Sequence, residues 1–322
     1  MIFAWSRSWH QNPDLLLREV RELGVTDVFL LLTDYDGAYY RSSLWTKRDL
    51  SLEIKRLTSA LAEEGVRVHA WITPMRTTRA EKRLYMVNRL GQSIYDDPPY
   101  IETYKFLCPN RAETLSIAES LLREAAGLAE FYGVHLGYLQ YPELPLEKPL
   151  AEGLYVRYDP KYDYCYCEAC RAKFKAETER ELFDEPKDVA LRWRAKALAG
   201  FASALAQRAR RLGFKAVSAH VHPGPQYAHT AAGQTWWEWG LDFYVVTAYR
   251  SNWGGDLGWV KRVALESAQL GRVAIGVRIA ELSPGEAAQL SEVRGRVLGI
   301  SLFQLPYGGI PQWLIRDLST WA

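Results

Sequence analysis

Eight short apolar runs recur along the chain, with helical or loop-like stretches between them. They cover residues 2–5, 28–32, 66–72, 134–141, 214–221, 243–249, 273–279 and 299–304. Val28-Phe29-Leu30-Leu31-Leu32 shows no polar alternation, the pattern of a strand covered on both faces in a parallel sheet. Amphipathic spacing predicts a helix over 14–23 that stops at Gly24, and another over 51–64 closed by Gly65. Further helices are expected over 111–130, rich in Ala, Leu and Glu, and over 187–211. Strand and helix in alternation imply an α/β protein, a single (β/α)8 TIM barrel taking up residues 1–322 as one domain. A doubly wound nucleotide-binding sheet competes, but Trp5-Ser6-Arg7-Ser8 is not the glycine-rich turn it would need. Two stretches lack periodicity. Residues 77–110 are expected to run above the barrel, and about 143–186 to form a long insertion after the fourth strand.

The totals exclude several function classes. A net charge of +2 gives no electrostatic footprint for nucleic acid or an anionic membrane, so neither is expected as a partner. Arg208, Arg210 and Arg211 cluster at a helix end, where cations complement the dipole. The first residues have no basic and apolar leader pattern, and no apolar stretch is long enough to span a bilayer, so a cytoplasmic protein is expected. Only 3 Met among abundant Arg, Glu and Ala points to a thermophilic source. The 12 Trp and 19 Tyr suit a sugar platform, a large core, or a contact between copies in a homo-oligomer.

The cysteines form the most specific pattern. Cys165, Cys167 and Cys170 are spaced Cys-x-Cys-x-x-Cys, and Cys108 lies before the helix over 111–130. Four thiolates close a tetrahedral zinc site with no open position, which is a structural arrangement. A structural zinc is expected, and no organic cofactor. It would staple the loop after the fourth strand to the segment before that helix.

Three stretches carry a family resemblance: Gly37-Ala38-Tyr39-Tyr40-Arg41-Ser42-Ser43, Val68-His69-Ala70-Trp71-Ile72-Thr73-Pro74, and His135-Leu136-Gly137-Tyr138-Leu139-Gln140-Tyr141-Pro142. They resemble the barrel glycoside hydrolases called glycosyl-hydrolase-like family 10. The cysteine pattern is similar to the zinc site of family 42 β-galactosidases. The resemblance implies a carbohydrate substrate, an oligo- or polysaccharide, and catalytic carboxylates at the ends of strands four and seven. Glu143 and Glu281 follow those strands, Glu143 as acid/base and Glu281 as nucleophile of a retaining hydrolase. The family carries Asp where Gly137 stands and Arg where Gln140 stands, so a carbohydrate-binding barrel without chemistry is the alternative.

Other strand-end residues complete the candidate site. Asp34 is placed to hydrogen-bond a sugar hydroxyl, whereas Asp36-Gly37 reads as a turn. His220 and His222, two apart on a strand, point the same way. They suit hydrogen bonds to substrate, or two ligands of a catalytic metal in a deacetylase or amidohydrolase. Trp71, Arg76, Gln140, Tyr249, Arg250, Trp253 and Gln304 follow or end strands on the same rim. Of Trp236, Trp237 and Trp239, near a short helix, at least one is expected in the core.

Overall fold

A computed structural model describes residues 1–321. Eight parallel strands close on themselves: β1 (Ile2–Ser6), β2 (Asp27–Leu31), β3 (Arg67–Ile72), β4 (Gly133–Leu136), β5 (Ala216–Val221), β6 (Phe243–Thr247), β7 (Val273–Arg278) and β8 (Gly299–Phe303). Each pairs with its neighbours in the chain, and Ile2 beside Ile300 joins β1 to β8. The fold is a (β/α)8 barrel, as expected from the alternation.

The helices begin and end where local chemistry says they should. In α1 (Pro13–Leu23), the Asn12 side chain accepts the Leu15 amide at 3.0 Å. Pro13 opens the first turn, and Gly24 closes the helix at φ 62°. Next come α2 (Ser51–Glu63), α3 (Ala112–Leu128), α4 (Glu168–Thr178), α5 (Lys187–Arg211) and α6 (Pro225–Ala232). The chain continues with α7 (Arg250–Trp253), α8 (Leu257–Ala268), α9 (Glu286–Leu290) and α10 (Gln312–Ser319). The basic end of α5 has intramolecular partners: Arg208 reaches Glu119 on α3 at 2.9 Å, and Arg210 reaches Asp242 at 3.2 Å. Among the described residues no helix is long and apolar enough to cross a membrane.

Aromatic rings and imidazoles fill much of the barrel's interior. Trp5 packs on Phe29, Trp71 and His135 with ring centroids 4.9, 4.8 and 4.6 Å away. His135 is fully buried and sits 2.8 Å from the Ser218 hydroxyl. At the N-terminal end, buried Asp27 accepts hydrogen bonds from Thr26 at 2.7 Å and Arg67 at 2.7 Å, and pairs with His69 at 3.0 Å. Trp236 and Trp239 are both fully buried, so two of the three clustered tryptophans belong to the core.

One strand is shorter than its apolar run. β4 stops at Leu136 instead of continuing to 141, because Tyr138 takes φ 56°. That left-handed conformation costs a non-glycine residue roughly 1–2 kcal/mol and ends the pleat. The turn sends residues 139–143 over the mouth of the barrel rather than along its wall.

Candidate active site and cysteine cluster

The cavity lies at the C-terminal ends of the strands, where barrel active sites are found. It holds about 320 Å³ and is lined by residues from the ends of most strands, beginning with Trp5 and Arg7 after β1 and ending with Phe303 on β8. Of the residues expected here, Asp34, Trp71, Arg76, Gln140, Glu143, His220, His222 and Tyr249 line it together.

Glu143 reaches the cavity through the Tyr138 turn. Its Oε1 accepts from the Gln140 amide at 2.7 Å and lies 3.1 Å from His222 Nε2. Among the described residues its Oε2 takes no hydrogen bond. Gln140 also reaches the Tyr104 hydroxyl at 3.2 Å, and Tyr100 donates to the Glu143 carbonyl at 2.7 Å. Buried Gln234 ties this loop to the histidines, since its amide donates to the Leu139 carbonyl and its oxygen accepts the His222 N–H, both at 2.9 Å. Gln234 lies after α6 in a stretch with no periodicity, and nothing in the sequence marks it.

His220 accepts the Tyr138 N–H at 3.3 Å through Nε2. Burial, with His222 and Arg76 adding to it, pushes its pKa down to about 3, so the ring is neutral. With Nε2 engaged, the metal-ligand reading of His220 and His222 lacks support. Among the described residues only the cysteines gather three or more metal-ligating side chains.

Asp34 is tied down. Its Oδ1 caps the Asp36 amide at 2.8 Å, and its Oδ2 takes hydrogen bonds from Tyr39 at 3.0 Å and Lys47 at 2.7 Å. Asp36 and Gly37 form the turn expected of them, between two short antiparallel strands at Thr33–Asp34 and Gly37–Ala38.

Three expected residues do not line the cavity. Glu281 instead caps α7: its oxygens accept the Arg250 amide at 2.7 Å, the Ser251 amide at 3.1 Å and the Ser251 hydroxyl. An acidic side chain at a helix N-terminus is a stabilising arrangement. Arg250 forms a two-pronged pair with Glu286 at 2.9 and 2.7 Å. Gln304, just past β8, has a buried oxygen without a partner. Conversely, Arg7 and Arg278 line the cavity and were readable as strand-end residues.

The Gly137 position has no room for a side chain. A Cβ there would stand 2.6 Å from Trp71 Nε1 and 3.2 Å from His220 Cε1. The space beside Gly137 is filled from the neighbouring strand by the Trp71 indole, so no side chain fits without moving it.

The four cysteines are buried, free of disulfides, and have sulfurs within 4.8 Å of one another. Cys108 lies 3.4 Å from both Cys167 and Cys170, near the roughly 3.8 Å expected of sulfurs placed about 2.3 Å from a tetrahedral zinc. Asn110 donates to Cys170 at 3.3 Å and the Val87 amide to Cys165 at 3.4 Å, as second-layer donors to thiolates do. Four buried sulfurs in this arrangement are able to hold a metal ion. They join the two irregular stretches, which also meet through Tyr166 N–H to Val87 O at 2.7 Å and Arg89 N–H to Asp163 O at 2.9 Å.

No protein-family model matches the sequence, and no curated protein is similar to it. Its fold is similar to solved glycoside hydrolase barrels. The glycoside hydrolase domain of PgaB (BpsB) from Bordetella bronchiseptica superposes with TM-score 0.70 at 14% identity, covering 98% of this chain and 95% of that one. A β-galactosidase from the psychrophilic Marinomonas ef1 gives 0.67 at 10% identity, over 99% of this chain and 58% of the other. α-L-fucosidase isoenzyme 2 from Paenibacillus thiaminolyticus gives 0.65 at 13% identity, and this chain spans about half its length, 48%.

Proposed function

We propose that the chain is a glycoside hydrolase acting on an oligo- or polysaccharide, with Glu143 as the proton donor. One observation carries the reading: Glu143 presents a carboxylate to the cavity with one oxygen oriented by Gln140 and the other open. Protonated at Oε2, it would give that proton to the glycosidic oxygen as the bond to the anomeric carbon breaks. Asp34 is the other carboxylate of the cavity wall, and it pairs with Lys47 at 2.7 Å. That suits it to activate a water or to stabilise positive charge on the sugar. Glu281, the nucleophile suggested by its position after β7, is assigned instead to holding α7.

The test is hydrolysis of an aryl-glycoside panel by wild type and the Glu143→Gln, Asp34→Asn and Glu281→Gln variants. Turnover is expected to fall by about 10²–10⁴ in Glu143→Gln, as removal of a general acid does. Glu281→Gln should stay within a few-fold of wild type. Gly137 and Gln140, which stand where the resembled family carries Asp and Arg, favour a second reading, a carbohydrate-binding barrel without chemistry. It replaces the first if wild type hydrolyses nothing on the panel yet binds oligosaccharide.

We further assign one structural zinc to Cys108, Cys165, Cys167 and Cys170, supported by the sulfur spacing. Elemental analysis is expected to find about one zinc per chain. Metal-free protein with four reactive thiols would refute the assignment.

A further inference from the structure

Several buried or half-buried arginines have an acidic partner. Arg67 has Asp27, Arg194 has Asp163, and Arg250 has Glu286. Arg76 is different. It lines the cavity half-buried, has no ion-pair partner among the described residues, and its buried Nε has no hydrogen-bond acceptor. Aromatic faces hold the guanidinium instead: Tyr138 at 4.4 Å, Tyr35 at 5.5 Å and Tyr104 at 5.7 Å from ring centroid to Cζ. Stacking of this kind fixes the plane of the fork while leaving its N–H groups vacant.

The same cavity is lined by Trp5 and Trp71 and by the carboxylates of Asp34 and Glu143. Trp5 and Trp71, 2% and 5% exposed, have buried indole N–H groups without acceptors, so these nitrogens are not presented to a ligand. A neutral sugar presents hydroxyls that donate as well as accept, whereas a guanidinium held by stacking offers donors alone and is complementary to an oxyanion.

We infer that the cavity takes a sugar bearing a carboxylate, a uronic acid residue, and that the Arg76 fork holds that carboxylate. This deepens the carbohydrate reading above and rests on it. A planar carboxylate matches the fork with two parallel hydrogen bonds. Sulfated and phosphorylated sugars share the oxyanion chemistry, so they enter the test as separate arms.

The experiment is calorimetric titration, which reads binding without turnover. The probes are glucuronate and galacturonate oligomers, the matching neutral glucose and galactose oligomers, and the neutral oligomers carrying a phosphate or sulfate. Wild type is expected to prefer the uronate over its neutral counterpart by at least about tenfold, with the preference shrinking as salt rises. Arg76→Gln should reduce it to within about threefold, and Arg76→Lys, a charge without a fork, should restore it only in part. Thermal melts establish that both variants fold, and the wild-type selectivity and its salt dependence decide the matter even where they do not. Equal binding of acidic and neutral sugars would overturn the inference and leave the carbohydrate reading standing. A preference for the phosphate or sulfate arm, or a uronate preference that survives in folded Arg76→Gln, would also overturn it. Binding of no sugar at all would remove the carbohydrate reading itself.

Discussion

The two ends of the barrel treat charge in opposite ways. At the N-terminal end, buried Asp27 draws in Thr26, Arg67 and His69, and those contacts hold its carboxyl below the usual range even though burial pushes the other way. At the C-terminal end, Arg76 rests on tyrosine rings with its Nε unpartnered, and Trp71 and His220 each keep a ring nitrogen without a partner. The Asp27 carboxylate has partners on both oxygens, leaving only His69 Nδ1 unpartnered in its cluster, whereas the Arg76 guanidinium has no ion-pair partner among the described residues. Satisfied groups stabilise the fold, while donors left vacant in a cavity stabilise whatever enters it. The difference gives a way to tell scaffold from site when charged residue types recur in both.

Substitutions should separate the ends, beginning with the largest effect. Asp27→Ala strands Arg67 and His69, and unfolding by denaturant is expected to show a loss of about 3 kcal/mol, the low end for a broken buried pair because Arg67 reaches water. A loss under about 1 kcal/mol would break the contrast, since the N-terminal cluster would then matter no more than a surface pair.

Acid comes next. Burial lowers the pKa of both His135 and His220, His220 to about 3. The unfolded chain binds these protons near pH 6.5, whereas folded His220 binds its own only near pH 3. Stability contributed by the neutral rings is therefore complete above about pH 6.5 and drains as pH falls toward 3. The slope of unfolding free energy is expected to approach about 1.4 kcal/mol per pH unit for each ring, and His220→Gln should remove one ring's share. An unchanged slope in that variant would count against a neutral His220.

A smaller effect is expected at Gly137. Gly137→Asp should cost roughly 1–3 kcal/mol by overpacking against Trp71, and should not raise hydrolysis. A stable and more active variant would show that the indole yields easily. Least of all, Arg76→Gln should leave stability within about 1 kcal/mol of wild type, because it breaks no ion pair. A large loss there would make Arg76 scaffold and erase the difference between the two ends.

The barrel was legible because parallel strands covered on both faces leave unbroken apolar runs, and the barrel rule then points to the residues that follow them. Trp71, Arg76, His220, His222 and Tyr249 were found by that rule alone. What the rule misses is how the chain leaves a strand. Residues 137–141 look like more of β4, yet the left-handed Tyr138 folds them back. Arg250 and Glu281 follow their strands as expected, but a four-residue helix starts at once and draws Glu281 to its N-terminus. No spacing in sequence announces a cap formed between residues this far apart. Gln234 was hidden for the same reason, because its two partners, Leu139 and His222, come from other loops.

The packing of Trp71 against Gly137 also bears on how such a site changes over generations. A side chain at 137 needs the indole to shrink first, and shrinking the indole first leaves a void lined by Trp5 and His220. Each single step passes through a poorly packed protein, in either order. Two residues on adjacent strands are thus coupled: the full indole at 71 and a side chain at 137 do not fit together, so the two positions change well only in concert.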